Sequence, residues 1–119
     1  MGNSDATQLV PHLFDPERII AEREWEPLHP GVSISVLYRT DPTGPMAAFL
    51  HYQPGARVPE HRHLGYEHIL ILSGQQRDEQ NIYTAGTLAI QSPGMTHAIT
   101  SDNGCLALAI WARPVELCK

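Results

Sequence analysis

The chain is poor in cysteine, in charge and in long apolar runs, and each shortage excludes something. Cys105 and Cys118 are the two cysteines in 119 residues, and they form no CxxC pair. With no secretory leader in view, two such thiols read as reduced, which places the protein in the cytoplasm. No apolar run approaches the roughly 20 residues that a membrane-spanning helix needs. Charged residues make up only 18% of the chain and hydrophobic ones 42%, so disorder is not expected and a core can form. The net charge is -5 and Lys and Arg do not cluster, which argues against nucleic acid or an anionic membrane as partner. The Met1-Gly2 start has Ala6 where a myristoylation signal has Ser or Thr. Neither a phosphate-binding glycine loop nor a Ser-His-Asp order is present, and Ser73-Gly74 and Ser92-Pro93-Gly94 read as turns rather than nucleophile elbows. There is no repeat, low-complexity segment or internal linker, so the length fits one domain.

What is present is a strand pattern behind a short arm. Residues 1–24 read as an N-terminal arm, in which Asp15-Pro16-Glu17 predicts an N-cap and a short helix to about Glu24. Pro27, Pro30 and Gly31 then interrupt the chain. From there, short apolar segments alternate with turns. Val32 to Arg39 alternates in polarity as a half-buried strand, and Met46 to Tyr52 is a second. Further strands are expected over 58–63, 66–72, 82–83, 87–91, 97–100 and 105–112, with 74–81 as a polar turn region. About eight or nine short strands at such spacing suggest an all-β sandwich or barrel over 25–119. In 66–72, Glu67, Ile69 and Ile71 share one face and His68, Leu70 and Leu72 the other. Both faces are apolar, so the outer one needs cover from the N-terminal segment or a second subunit.

The chemistry concentrates in residues 55–74 and 92–97. His61 and His63 are two residues apart, which puts both on one face of a strand, and Glu67 follows four residues later. His97 comes after the Ser92-Pro93-Gly94-Met95-Thr96 loop. Three imidazoles and a carboxylate suit a divalent transition metal: Zn or Fe first, with Mn and Ni also compatible. An isolated HxH would be two exposed strand histidines; the added Glu, the second loop histidine and the bracketing glycines shift the reading to metal. Among the other histidines, His51 would be the first suspect for proton transfer if it faced inward, although an ordinary strand position is expected. His68 should point away from the metal, and His12 and His29 should lie on the surface. Arg57 and Arg62 are expected on the surface, and Cys105 as a core thiol. Tyr66, Phe49, Tyr52 and Trp111 are candidates to line the barrel. Ile69, Ile71 and Leu88 or its neighbours are candidates for a dry pocket wall.

Residues 55–74 resemble the first motif of the cupin superfamily: Gly55, five residues, His61-x-His63, three residues, Glu67, six residues, Gly74. Residues 86–97 resemble the second, with Gly86, Gly94 and His97 in place. Ser92 stands where that motif usually has proline, and Ser101 where it often ends in Asn, departures that touch loops rather than ligands. Within the superfamily the chain is most similar to the cupin domain of ChrR-type anti-sigma factors and to small cupin dioxygenases. Trp25, Pro27, Pro30-Gly31-Val32, Asp78-Glu79, Tyr83-Thr-Ala-Gly86 and Gly104-Cys105 carry that likeness over roughly residues 20–112.

The resemblance implies a double-stranded β-helix, the jelly-roll-like cupin barrel, with His61, His63, Glu67 and His97 as metal ligands. It implies either a dioxygenase acting on a small diketone or hydroxyketone, or a ChrR-like zinc-binding sensor or small-molecule binding module. A metal-dependent isomerase is a weaker third class. Residues 1–24 are too short to supply the helical sigma-binding domain of such anti-sigma factors, which weakens a direct role in transcription. A small-molecule ligand or substrate is the expected partner, and a homodimer the expected assembly. No catalytic residue is assigned.

Overall fold

The computed structural model describes residues 6–118. Strands account for most of it, in the order α1 (Pro16–Glu22), β1 (Glu26–His29), β2 (Val32–Arg39), β3 (Met46–Tyr52), β4 (Ala56–Arg62), β5 (Glu67–Arg77), β6 (Ile82–Thr84), β7 (Leu88–Gln91), β8 (Thr96–Ser101), β9 (Cys105–Trp111) and β10 (Glu116–Leu117). All the pairings are antiparallel. The path runs β1-β2-β3-β9-β5-β8-β4-β10, with β6 and β7 also paired to β5. The result is a curled double layer, in keeping with the sandwich or barrel that the strand pattern predicts.

β5 joins the two layers. Its first half, from Glu67, pairs with β9 and β7; its last residues, Gln75 to Arg77, pair with β6, and Arg77 reaches β8. The turn-over lies between Ile71 and Gly74, where the register with β9 shifts. Gly74 has φ +71, and a Cβ there would collide with the Gly104 carbonyl. Only glycine accepts both the left-handed backbone and the close approach. Residues 74–77 are therefore strand, where the sequence pattern predicts a polar turn. Their polarity reflects a strand crossing between layers rather than a break.

Two short strands also escape the sequence pattern. β1 contains Pro27 and occupies the end of the strand path beside β2, a place where a residue without an N–H is tolerated. β10 is a two-residue pairing with β4. The helix forms where expected and ends at Glu22. Pro16 opens it, although the Asp15 side chain makes no cap hydrogen bond.

Period-2 alternation sorts the side chains as predicted. Glu67, Ile69 and Ile71 are buried, His68 is exposed, and Leu70 and Leu72 are partly covered on the opposite face. The inner face carries the main core, with Val32, Leu50, Tyr52, Ile71, Ile99 and Trp111 among its members. The outer face of the same sheet carries a second cluster: Ile19 of α1 packs with Phe49 and Leu106, and Val10, Leu13, Trp25 and Leu72 surround them. The N-terminal segment thus covers part of the outer face. Trp25 is fixed there by an N–H bond to the Ile20 carbonyl at 2.9 Å. Phe49 consequently lies under the helix and does not line the barrel. Leu70, Leu88, Ile90 and Ile110 continue the outer face beyond the helix, and the last three are exposed.

Candidate metal centre

Local geometry brings the histidines together. In the β4–β8 pairing His61 stands directly opposite His97, just past a bulge in β4 at residues 58–61. His63 follows the end of β4, and its backbone is held to the turn before β8. Its N–H donates to the Met95 carbonyl at 2.9 Å, and its carbonyl accepts from the Gly94 N–H at 2.7 Å. Gly94 makes that turn with φ +89. The three rings lie with centroids 4.6 to 5.1 Å apart, tilted edge to face. His61, His63 and His97 are buried, and one ring nitrogen from each lies within 4.8 Å of the others.

The far nitrogens are assigned by their partners. His61 Nδ1 faces the Pro59 carbonyl at 2.9 Å, and His97 Nδ1 faces Asp78 Oδ2 at 2.9 Å. Each Nδ1 is then the donor, leaving Nε2 with a lone pair directed inward. His63 Nε2 lies 3.0 Å from His97 Nε2. Glu67 approaches from the other side of His63, with Oε1 at 3.2 Å from Nδ1. That contact is off the hydrogen-bond direction, so His63 Nδ1 is a buried nitrogen without a hydrogen-bond partner. The 3.0 Å contact is a hydrogen bond when one Nε2 keeps its proton, and a cation held by the three rings would take that proton's place. The three histidines could hold a metal ion, whereas Glu67, on the Nδ1 side of His63, lies outside that group of ligand atoms.

Burial pushes Glu67 up to about 8, while burial and the two neighbouring imidazoles bring His63 down to about 4. Burial also lowers His61. A divalent cation would reverse the penalty on Glu67 by favouring its ionised form.

Asp78 anchors this arrangement. Burial would raise its pKa, but hydrogen bonds from the Tyr83 hydroxyl, His97 and the backbone N–H groups of Gln80 and Asn81 outweigh that and hold it at about 2. Gln91 Nε2 donates to the Tyr83 oxygen at 3.3 Å, which extends the chain Gln91–Tyr83–Asp78–His97. Next to it, Glu79 Oε1 accepts from the Ala98 N–H at 3.0 Å. The HxH spacing and the Ser92-Pro93-Gly94 turn give no indication of this network. The only local sign is Asp78 ahead of a turn, where its Oδ1 caps Gln80 and Asn81.

Against the donors lies a cavity of about 200 Å³, reached by His61, His97 and Glu67 and walled by Leu50, Ile69 and Trp111. Tyr52 also lines it. Ile71 is buried in the core without lining it, and Leu88 and Tyr66 are exposed. The last two are displaced because parity puts Leu88 on the outer face and Tyr66 lies just before β5 begins. His51 faces outward and packs its ring against Trp25 at 5.6 Å, which removes it as a proton-transfer group. His68 points away as expected, and Arg57 and Arg62 are exposed. His29, expected on the surface, is instead half-buried at the cavity wall.

Residues 18–112 match the family model described as the ChrR cupin-like domain. The anti-sigma-E factor ChrR of Cereibacter sphaeroides is 32% identical over 103 residues, covering 83% of this chain and 46% of that protein. The chain thus spans about half the length of that curated relative. ChrR in the crystal structure of its complex with the Rhodobacter sphaeroides sigma factor SigE superposes with a TM-score of 0.71 at 29% identity, over 80% of this chain and 52% of that one. An acetylacetone dioxygenase from Acinetobacter johnsonii superposes at 0.73 with 14% identity, over 80% of this chain and 72% of that one. At that identity the likeness is one of fold.

Proposed function

The chain belongs to the ChrR cupin-like domain family, and from that premise we propose that it holds one divalent transition metal and binds a small organic molecule beside it. His61, His63 and His97 would supply nitrogen donors and Glu67 an oxygen. Four protein donors leave positions open on an octahedral ion, and an apolar ligand with two chelating oxygens, such as a β-diketone, would gain both metal bonds and burial. The observation that carries this reading is that the apolar cavity opens directly onto His61, Glu67 and His97.

Iron would supply redox chemistry with oxygen, whereas zinc would supply Lewis acidity alone. The chain's own contribution is positioning. Asp78 and the Pro59 carbonyl hold two imidazoles in the tautomer that turns Nε2 inward, and the apolar walls limit water around the bound molecule. With iron, this site would suit a dioxygenase for a small diketone or hydroxyketone. The second reading, a zinc-binding sensor or binding module, is favoured by the likeness to an anti-sigma factor. A homodimer fits the exposed Leu88, Ile90 and Ile110, and a reducing cytoplasm fits the free Cys105 and Cys118.

The test is metal analysis of protein purified without added metal, combined with oxygen uptake on a diketone panel. Iron with oxygen uptake supports the dioxygenase. Zinc with diketone binding and no uptake supports the binding module. Full metal occupancy in a His61→Ala/His63→Ala double variant would overturn the site itself.

A further inference from the structure

One cation stands at the rim of the apolar cavity, and the spacing from the metal donors to it suggests what kind of molecule the cavity takes. The strand registers set Arg39 opposite Met46, Met46 opposite Trp111, and Trp111 opposite Glu67. Directly opposed residues share a face, so Arg39 lies on the same inward row as Glu67, with two apolar side chains between them. Neighbouring strands are about 4.8 Å apart, which puts the two ends of the row roughly 14 Å apart at the backbone. Arg39 lines the cavity with Met46, and its Nη2 rests 3.6 Å from the Met46 sulfur. Among the described residues it makes no ion pair, and Glu67 at the far end is the one carboxylate of the lining. A guanidinium with no carboxylate at hand, in a chain of net charge -5, is available to a ligand's anion.

Building on the metal-site reading above, we propose that Arg39 is a specificity residue and that the preferred ligand is a small organic acid. Its chelating oxygens would face the histidines and its carboxylate would face Arg39, with an apolar stem along Met46 and Trp111. The guanidinium fork matches a carboxylate in a two-point hydrogen bond. A cavity of about 200 Å³ holds a molecule of roughly ten to twelve non-hydrogen atoms at organic packing density. The six- to seven-carbon dioxo acids are of this size.

Calorimetric titration of the zinc-loaded protein with 4,6-dioxoheptanoate, its methyl ester and pentane-2,4-dione tests the assignment. The acid and the ester share one chelating head and differ in charge at the tail. The wild type should bind the acid at least tenfold more tightly than the ester. Arg39→Gln should bring that ratio close to one, with ester and pentane-2,4-dione affinities unchanged within about twofold; Arg39→Lys should keep part of the preference. Because Arg39 is exposed, neither variant should alter the circular dichroism spectrum. A wild type that binds the neutral compounds without preferring the acid, or an Arg39→Gln protein that keeps the preference, overturns the role of Arg39 and leaves the metal site standing. Binding of none of the three overturns both.

Discussion

At the scale of single residues, the most informative side chain is one that touches no ligand position. Asp78 holds His97 by its Nδ1, and such partners commonly contribute 10- to 100-fold to metal affinity. Asp78→Asn should therefore weaken metal binding by roughly that factor in a chelator competition, with the fold retained. Unchanged affinity would mean that His97 needs no orienting partner. Glu67→Gln keeps an oxygen but loses the charge, so it should weaken binding less than His61→Ala or His97→Ala, each of which removes a nitrogen donor. The cysteines offer a second residue-level check. Burial pushes the Cys105 thiol up to about 12, against a smaller opposing effect of the neighbouring Ser101 hydroxyl, so at pH 8 it stays protonated as well as enclosed. Iodoacetamide should then alkylate Cys118 in the native protein and reach Cys105 only after denaturation. Rapid double labelling of native protein would contradict the packing around Cys105.

At the scale of elements, β5 and the N-terminal segment matter most. A methyl group at Gly74 would meet the Gly104 carbonyl and force a left-handed backbone on alanine, so Gly74→Ala should cost on the order of 1–3 kcal/mol in denaturant melts. The opposite face of β5 offers another test. Leu72 sits in the cluster with Ile19, Phe49 and Leu106, and Leu70 borders the uncovered surface. Replacing both with Lys should lower stability or, where a second copy covers Leu70, produce a monomer in light scattering. Unchanged mass and melting temperature would argue against both kinds of cover. Most of this was legible in the sequence, because alternation decides which side of β5 enters the core and the HxH spacing keeps both imidazoles on one side where β4 ends. What was not legible depends on partners distant along the chain. The strand character of 74–77 comes from β6 and β8, Phe49 is covered by a helix 27 to 33 positions earlier, and Asp78 meets His97 across 19 residues. β1 was hidden by its proline, which an end strand tolerates.

At the scale of the whole molecule, the proposed donors come from both layers of the sandwich: His61 and His97 from β4 and β8, and Glu67 from the half of β5 that pairs with β9. A bound ion would therefore tie the layers together. Saturation at a hundredfold above Kd should add about 2.7 kcal/mol to the unfolding free energy. Thermal melts should show a higher midpoint with metal, reversed by a chelator, and a midpoint indifferent to metal would argue against a site that spans the layers.

The strand order also sets a timetable. β1, β2 and β3 pair in chain order and β6 pairs with β5, but β3 also lies beside β9, and His61 waits for His97. Such long-range pairings form slowly, in milliseconds to seconds, because distant segments must meet before these contacts reward them. As the chain leaves the ribosome, His63 emerges 34 residues ahead of His97. An ion captured by the His61–His63 pair alone would be held weakly and exchanged freely. Firm retention would have to wait until β8 has brought His97 to that pair, so a bound metal would be chosen after folding, from the ions available at that moment.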